Sequence, residues 1–300
     1  MGRLTALLAF VCYITATAQA QKIILTNDDG WAVAQIRAEY TALTAAGFDV
    51  ILSAPAENES GTGSSTTTPT PLKSACEFNT CTVGSPAEGA NSTDARINYV
   101  NGFPVDSVRY GIQTLAPKLF GTKPDLVVSG SNIGNNLGAT VLISGTVGAA
   151  SEAALEGIPS IAFSGASGSQ VSYTTLSQTT SSSTQAVNIY TSLVVKFTQA
   201  LVQNPTPLLP TGTSLNVNFA SISNCASAPA YKFVLTRINA NSGATDVTTC
   251  GTNHLTAEST AISKGCIATV SVFNASTKGD VDAATQGVVL NKLTSLLTCL

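Results

Sequence analysis

The chain has 300 residues, with 14 Lys and Arg against 17 Asp and Glu, one His, and a formal net charge of -3. Charged residues make up 10% of it, against about 25% in an average soluble domain, so its polarity rests on 72 Ser and Thr. That balance excludes a basic groove for duplex nucleic acid and any chemistry needing two imidazoles, while 44% hydrophobic residues argue against disorder.

The first twenty residues read as a secretory signal. Arg3 gives a positive start, Leu4 to Ile14 is a short apolar run, and Ala18-Gln19-Ala20 is a small-x-small cleavage site. The run is too short to span a membrane, so no membrane partner is expected. The mature chain should begin near Gln21 and be secreted. Cys12 leaves with the signal. Cys76, Cys81, Cys225, Cys250, Cys266 and Cys299 remain, an even set that suggests three disulfides in an oxidising compartment. Their pairing stays open, with Cys76 and Cys81 the plausible local pair. No CxxC pair exists, which disfavours zinc. Asn58, Asn91 and Asn274 head glycosylation sequons.

Lys22 to Thr26 predicts a strand that ends in Asn27-Asp28-Asp29-Gly30, a turn signal. Val33, Ile36, Tyr40 and Leu43 then share a helical face, with Gly47 as the stop, and Phe48 to Ala54 is the next strand. This βαβ unit should cross over right-handedly. Pro55 to Pro71 is a long polar loop of the kind that is functional or disordered. Short β pieces follow over 72–101, then a helix over Asp106 to Leu115 and a strand over Asp125 to Ser129. A Gly/Asn loop leads into a small-residue helix from Ser144 to Leu155, and a strand spans Pro159 to Ser164. After a loop over Gly165 to Thr184, a helix near Ala186 to Val202 and a strand over Leu215 to Phe219 are expected. The last third predicts strands over Tyr231 to Thr236 and Cys266 to Phe273 and a closing helix over Asp282 to Leu297. The alternation predicts an α/β fold with a doubly wound, mostly parallel sheet. Residues 21–300 read as one domain, a core over 22–220 with an extension over 221–300.

Ligands of such sheets gather beyond the carboxyl ends of the strands. Asp28 and Asp29 sit at one such end, where adjacent acids invite a cation, and oxygen donors suit Mg²⁺, Mn²⁺ or Ca²⁺. Taken alone, the segment reads rather as an ordinary solvated Asp-Gly turn. Ser60 and Gly61 alone are a flexible loop. Gly130-x-Asn132-x-Gly134-x-Asn136-x-Gly138 brings backbone and amides close to a ligand, and Ser144-Gly145-Thr146 falls where a helix start favours phosphate. Together these segments point to a metal and a phosphate.

In this order the motifs resemble the SurE family. The resemblance rests on Leu25-Thr26-Asn27-Asp28-Asp29-Gly30, Ala54-Pro55 with Ser60-Gly61, Pro124 through Gly138, Ser144 through Ala150, Gly157-x-Pro159-Ser160-Ile161-Ala162-x-Ser164 and Leu215-Asn216-Val217-Asn218. It implies a three-layer α/β/α core and a C-terminal hairpin and helix that exchange between subunits, giving a homodimer or tetramer. It implies a metal-dependent phosphatase of the acid phosphatase or 5′/3′-nucleotidase type. Its metal ligands would be Asp28, Asp29, Ser60 and Asn132. Its phosphate site would be Asn132, Gly134, Ser144, Gly145 and Thr146, and Asp28, Asp29 and Asn132 would be its catalytic residues. The chain departs from the family at Ile143, Ser131, Ala220 and Phe103-Pro104-Val105-Asp106-Ser107, none of them a ligand. The signal and the six Cys fit an extracellular, fungal-type member.

The expected reaction is hydrolysis of a phosphomonoester, such as a nucleoside monophosphate, by metal-activated water. Attack by Asp28 or Asp29 itself is the second choice. The rival reading is a secreted glycoprotein that keeps the fold as a non-catalytic metal- or phosphate-binding module. A dinucleotide-binding protein is disfavoured, because no G-x-G-x-x-G follows the first strand. His254 lies outside every motif and reads as a surface or packing residue. A glycan on Asn58 would sit beside Ser60, so that sequon is either unused or turned outward.

Overall fold

The structure, a computed structural model, describes residues 20–203 and 207–300. The expected signal segment up to Gln19 lies outside the described residues. The strands are β1 (Lys22–Thr26), β2 (Asp49–Pro55), β3 (Glu88–Ala90), β4 (Ile97–Val100), β5 (Leu126–Ile133), β6 (Ser160–Gly165), β7 (Thr213–Phe219), β8 (Lys232–Thr236) and β9 (Ile267–Asn274). The helices are α1 (Ala34–Ala45), α2 (Pro104–Tyr110), α3 (Ala116–Leu119), α4 (Gly145–Leu155), α5 (Ser182–Val202), α6 (Glu258–Ala261) and α7 (Ala283–Lys292).

All nine strands form one sheet in the order β3-β4-β2-β1-β5-β6-β7-β9-β8. The six strands from β4 to β7 run parallel, while β3 is antiparallel to β4 and β9 to β7. Parallel strands are covered on both faces and therefore read as unbroken apolar runs. In β1, Ile23 and Leu25 join the large core that holds the buried residues of α1 and α5. Ile24 faces the other way, into a core with Val108, Ile112, Ala149 and Ala153. Each such fully buried aliphatic side chain contributes about 1.5–3 kcal/mol. The result is three layers, with α1 and α5 on one face and α2 and α4 on the other.

The order reverses between β1 and β5. The chain winds from β1 through β2 to β4 in one direction, then from β5 through β6 to β7 in the other. The crevice outside the carboxyl ends of β1 and β5 is thus the topological switch point, where ligands of open α/β sheets bind.

Several boundaries differ from expectation. The helix expected from Asp106 starts at Pro104, because proline suits the first helical position. It continues through one π turn (Gly111–Leu115) into α3. β5 runs on to Ile133, into the Gly/Asn segment. α5 begins at Ser182, capped by the Ser181 hydroxyl, which accepts from the Thr184 N–H at 3.1 Å. The closing helix ends at Lys292 rather than Leu297, and Leu297 instead forms a parallel bridge to Phe233.

The C-terminal extension carries a small antiparallel hairpin at Thr249 and Thr252, which exchange backbone hydrogen bonds at 2.9 and 3.0 Å. β8 and β9 are neighbours but run parallel, and a parallel pair cannot be closed by a tight turn. The chain leaves β8 through 237–266, which includes α6, before entering β9. Three disulfides form, Cys76–Cys81, Cys225–Cys266 and Cys250–Cys299, and the first is the expected local pair.

Candidate active site

The turn after β1 is built by Asn27. Its amide nitrogen donates to the Gly30 carbonyl at 2.9 Å, and its Oδ1 accepts from the Gly30 N–H at 3.2 Å. This closed turn leaves Asp28 2% exposed and Asp29 fully buried, so the solvated-turn reading fails. Asp28 Oδ1 accepts from the Thr146 hydroxyl at 2.7 Å, and Asp29 Oδ2 accepts from the Ile133 N–H at 3.0 Å. Asp29 Oδ1 accepts from the Gln170 side chain. Every one of these donors is neutral, and neither acid has a Lys or Arg partner among the described residues. Burial pushes both carboxyls up, and the Asp28 charge pushes Asp29 up further.

Two adjacent buried carboxylates with only neutral donors fit a divalent cation, which would relieve both the burial and the mutual repulsion. Among the described residues no group of three or more His, Cys, Asp or Glu is placed to hold a metal. A donor set here would be the two carboxylates plus neutral oxygens. Ser60 and Asn132 are the neutral candidates. The Glu59 N–H donates to the Asp28 carbonyl at 2.8 Å, which docks the Ser60 loop on the aspartate turn. Ser60 itself is exposed at the mouth, its N–H held by Asn58 Oδ1 at 2.9 Å. Asn132 donates one amide hydrogen to the Gly134 carbonyl at 2.6 Å. That bond orients its side chain and leaves its carbonyl oxygen as the metal-type donor.

The loop over Pro55 to Pro71 is ordered by such bonds. The Gly63 N–H donates to the Ile143 carbonyl at 3.0 Å, and the Thr67 N–H to Asp106 Oδ2 at 3.0 Å. Helix α4 begins with Ser144 as N-cap, its hydroxyl accepting from the Val147 N–H at 3.1 Å. The Gly145 and Thr146 N–H groups face the Asp28 carboxylate and work against the upward push of burial. A helix start that favours anions therefore meets Asp28 directly. A Cβ on Gly145 would lie 2.8 Å from Asp28 Cβ and 3.0 Å from Pro104 Cγ, so only glycine permits this approach. At Gly148 a Cβ would lie 1.9 Å from the Gly63 carbonyl oxygen, so this position too requires glycine. The structure thus gathers Asp28, Asp29, Asn132, Gly134, Ser144, Gly145 and Thr146 at the switch point, with Ser60 at the rim. His254 is exposed, as expected.

Four residues at or under the site escaped the sequence reading. Glu39 of α1 is fully buried and accepts from the Ser131 N–H at 2.9 Å and from its hydroxyl. Burial pushes it up to about 7. It anchors the residue before Asn132. Its position on the face of Ile36 and Leu43 was the available signal. Glu258 of α6 accepts from the Gly138 N–H at 2.9 Å, the Ser271 hydroxyl at 2.9 Å and the Asn216 amide at 3.0 Å. Burial pushes it up to about 8. Together with Asn218, whose Oδ1 accepts from the Asn136 N–H at 2.9 Å, it fixes the Gly134–Gly138 loop. Glu77, beside the Cys76–Cys81 bridge, accepts from the Ala32 N–H at 2.6 Å, and burial pushes it up to about 7. Gln170 is the fourth, and nothing in its Ser/Thr-rich neighbourhood marked it.

A family model described as "Survival protein SurE" matches residues 23–245. An acid phosphatase of Yarrowia lipolytica is 39% identical over 203 residues, covering 65% of this chain and 56% of that protein. A 5′-nucleotidase SurE of Desulfitobacterium hafniense is 44% identical over 153 residues, covering 50% and 53%. The 5′-nucleotidase SurE of Lawsonia intracellularis is 34% identical over 201 residues, covering 67% and 66%. The chain spans about half the length of the first two of these relatives. The crystal structure of the SurE protein from Aquifex aeolicus aligns with a TM-score of 0.58 at 25% identity, covering 84% of this chain and 93% of that one.

Proposed function

The chain belongs to the SurE family, and on that premise we propose that it is a divalent-metal-dependent phosphomonoesterase of the acid phosphatase or nucleotidase type. The observation that carries the reading is the pair Asp28 and Asp29, adjacent, buried and supplied only with neutral donors. Asp28, Asp29, Asn132 and Ser60 would hold the ion. When bound, Mg²⁺ or Mn²⁺ supplies Lewis acidity and lowers the pKa of water.

The rest of the chemistry belongs to the chain. Thr146 and the α4 amides hold the Asp28 carboxyl in one orientation and oppose the upward push of burial. Ile133 anchors Asp29 to β5. The second amide hydrogen of Asn132 and the Ser144 hydroxyl, which caps α4, offer donors for phosphoryl oxygens as charge develops on them. Leu142 and Ile143, 57% and 60% exposed, form an apolar rim just before Ser144. That rim suits the uncharged part of a phosphomonoester such as a nucleoside monophosphate.

The three disulfides support export after loss of the first twenty residues. No helix among the described residues is long and apolar enough to cross a membrane. Asn58 and Asn274 are exposed, which suits sequon use; peptide mapping of the secreted protein decides each site. Turnover of p-nitrophenyl phosphate and of nucleoside monophosphates with Mg²⁺ or Mn²⁺, and then with a chelator, tests the function. Full activity after chelation overturns the metal role. Metal-dependent thermal stabilisation without turnover favours a binding module instead.

A further inference from the structure

Gln170 lies in the loop after β6 and is exposed. Its Nε2 nevertheless donates to Oδ1 of the fully buried Asp29. The other Asp29 oxygen accepts from the Ile133 N–H. Both oxygens are therefore tied from opposite sides, one to the β5 backbone and one to a side chain across the crevice. Two such anchors fix the rotation of the carboxylate plane as well as its position.

The loop that presents Gln170 is braced on both flanks. The Ala34 N–H donates to the Val171 carbonyl and the Tyr173 N–H to the Ala32 carbonyl, each at 2.9 Å. Ser172 also bridges to Val33. On the other side the Ser167 N–H donates to the Tyr190 hydroxyl at 3.1 Å, and the Ser167 and Ser221 hydroxyls lie 3.0 Å apart. A frame pinned to α1, α5 and the segment after β7 can hold a side chain against a carboxylate, which a free loop cannot. The choice of group also matters. A Lys or Arg at this place would neutralise Asp29 and compete with a cation. An amide orients the carboxylate and leaves its charge intact, as outer partners of metal-ligating carboxylates do.

We infer that Gln170 is a positioning residue: its hydrogen bond to Oδ1 presets Asp29 so that the remaining lone pairs face the cation site. The inference rests on the proposed metal dependence. The experiment uses the full secreted chain and its Gln170→Ala and Gln170→Met variants, the latter keeping length and bulk without the donor. Free Mn²⁺ is followed by electron paramagnetic resonance during titration, with no substrate present. Metal-free Tm, kcat and KM are measured alongside. Both variants should bind Mn²⁺ roughly 10-fold more weakly or worse, with unchanged metal-free Tm, unchanged KM and turnover recovered by added Mn²⁺. Mn²⁺ affinity within twofold of the parent in both variants overturns the inference and leaves the proposed function standing. An equal loss of Tm and affinity also overturns it, since the role is then structural. A parent chain with no saturable Mn²⁺ binding overturns the proposed function and this inference together.

Discussion

The Thr146 hydroxyl and the Asp28 carboxylate meet at 2.7 Å across 118 residues of sequence, and this contact joins the start of α4 to the end of β1. Thr146 is fully buried, so Val can replace it with little change of shape. Thr146→Val should leave the fold intact but deprive Asp28 of the Thr146 hydroxyl, its one side-chain donor among the described residues. A hydrogen bond to a charged group contributes about 1.5–3 kcal/mol, so kcat/KM should fall by roughly 10- to 100-fold. Steady-state kinetics beside a thermal melt checks this. Unchanged kinetics would show that the α4 amides hold Asp28 unaided.

Asp29→Asn makes a two-sided prediction. It removes one anionic ligand, so metal-dependent turnover should fall by more than about 100-fold. It also removes a buried charge beside Asp28, whose repulsion and burial both push Asp29 up. The metal-free variant should therefore melt higher than the metal-free parent. Activity lost together with raised stability is the signature of a site that trades stability for function. A drop in metal-free Tm would contradict the electrostatic account.

Stability of the metal-free protein should depend on pH through its buried glutamates. Burial raises Glu258 from an ordinary 4.5 to about 8, and Glu39 and Glu77 to about 7. Between these limits the folded chain holds protons that the unfolded chain releases. Stability is then fully present below about pH 4.5 as far as these groups are concerned, and is lost as pH rises through 7 to 8. Tm should thus be higher near pH 5 than near pH 8.5 in low-salt buffer with a chelator. Glu258→Gln keeps the neutral form at all pH values and should flatten this slope.

The path from residues to site was legible where a single element carries the signal. Ile23-Ile24-Leu25 announces a strand buried on both faces, and Ser144-Gly145-Thr146 announces a capped helix start; both stand as expected. Alternation along the chain also placed Asp28 and Asn132 on one edge, since β1 and β5 are neighbours. What escaped depends on partners far away in sequence. Glu39 looks like a flaw in an apolar stripe until Ser131 is set beside it, 92 residues on. Glu258 looks like a surface acid until Gly138, Asn216 and Ser271 surround it. The direction of β8 against β9 was likewise hidden, because two short strands separated by a long connection read the same whether parallel or not. The closing helix was overextended because Leu296 and Leu297 continue an apolar pattern, yet they pack against the main core, where Leu297 bridges β8.

The disulfides should separate by what they hold. Cys76–Cys81 closes the loop that carries Glu77. The Glu77 carboxyl stands where a Cβ on Gly30 would be, 2.4 Å away, and binds the Ala32 N–H, so it braces the segment that follows Asp29. Cys250–Cys299 instead ties the C-terminal segment beside β8, at the edge of the sheet farthest from β3, with four strands between β8 and β1 beyond the switch point. Replacing both cysteines by Ser at 250 and 299 should lower stability by about 2–4 kcal/mol and leave kcat/KM at 25 °C within about twofold. The Cys76–Cys81 bridge closes a loop of only 5 residues' separation, so the same change there should affect stability less and turnover more, through slackened hold on Asp29. Denaturant melts and kinetics on the two double variants check the contrast. Equal effects on turnover would mean that Glu77 holds its place without the bridge.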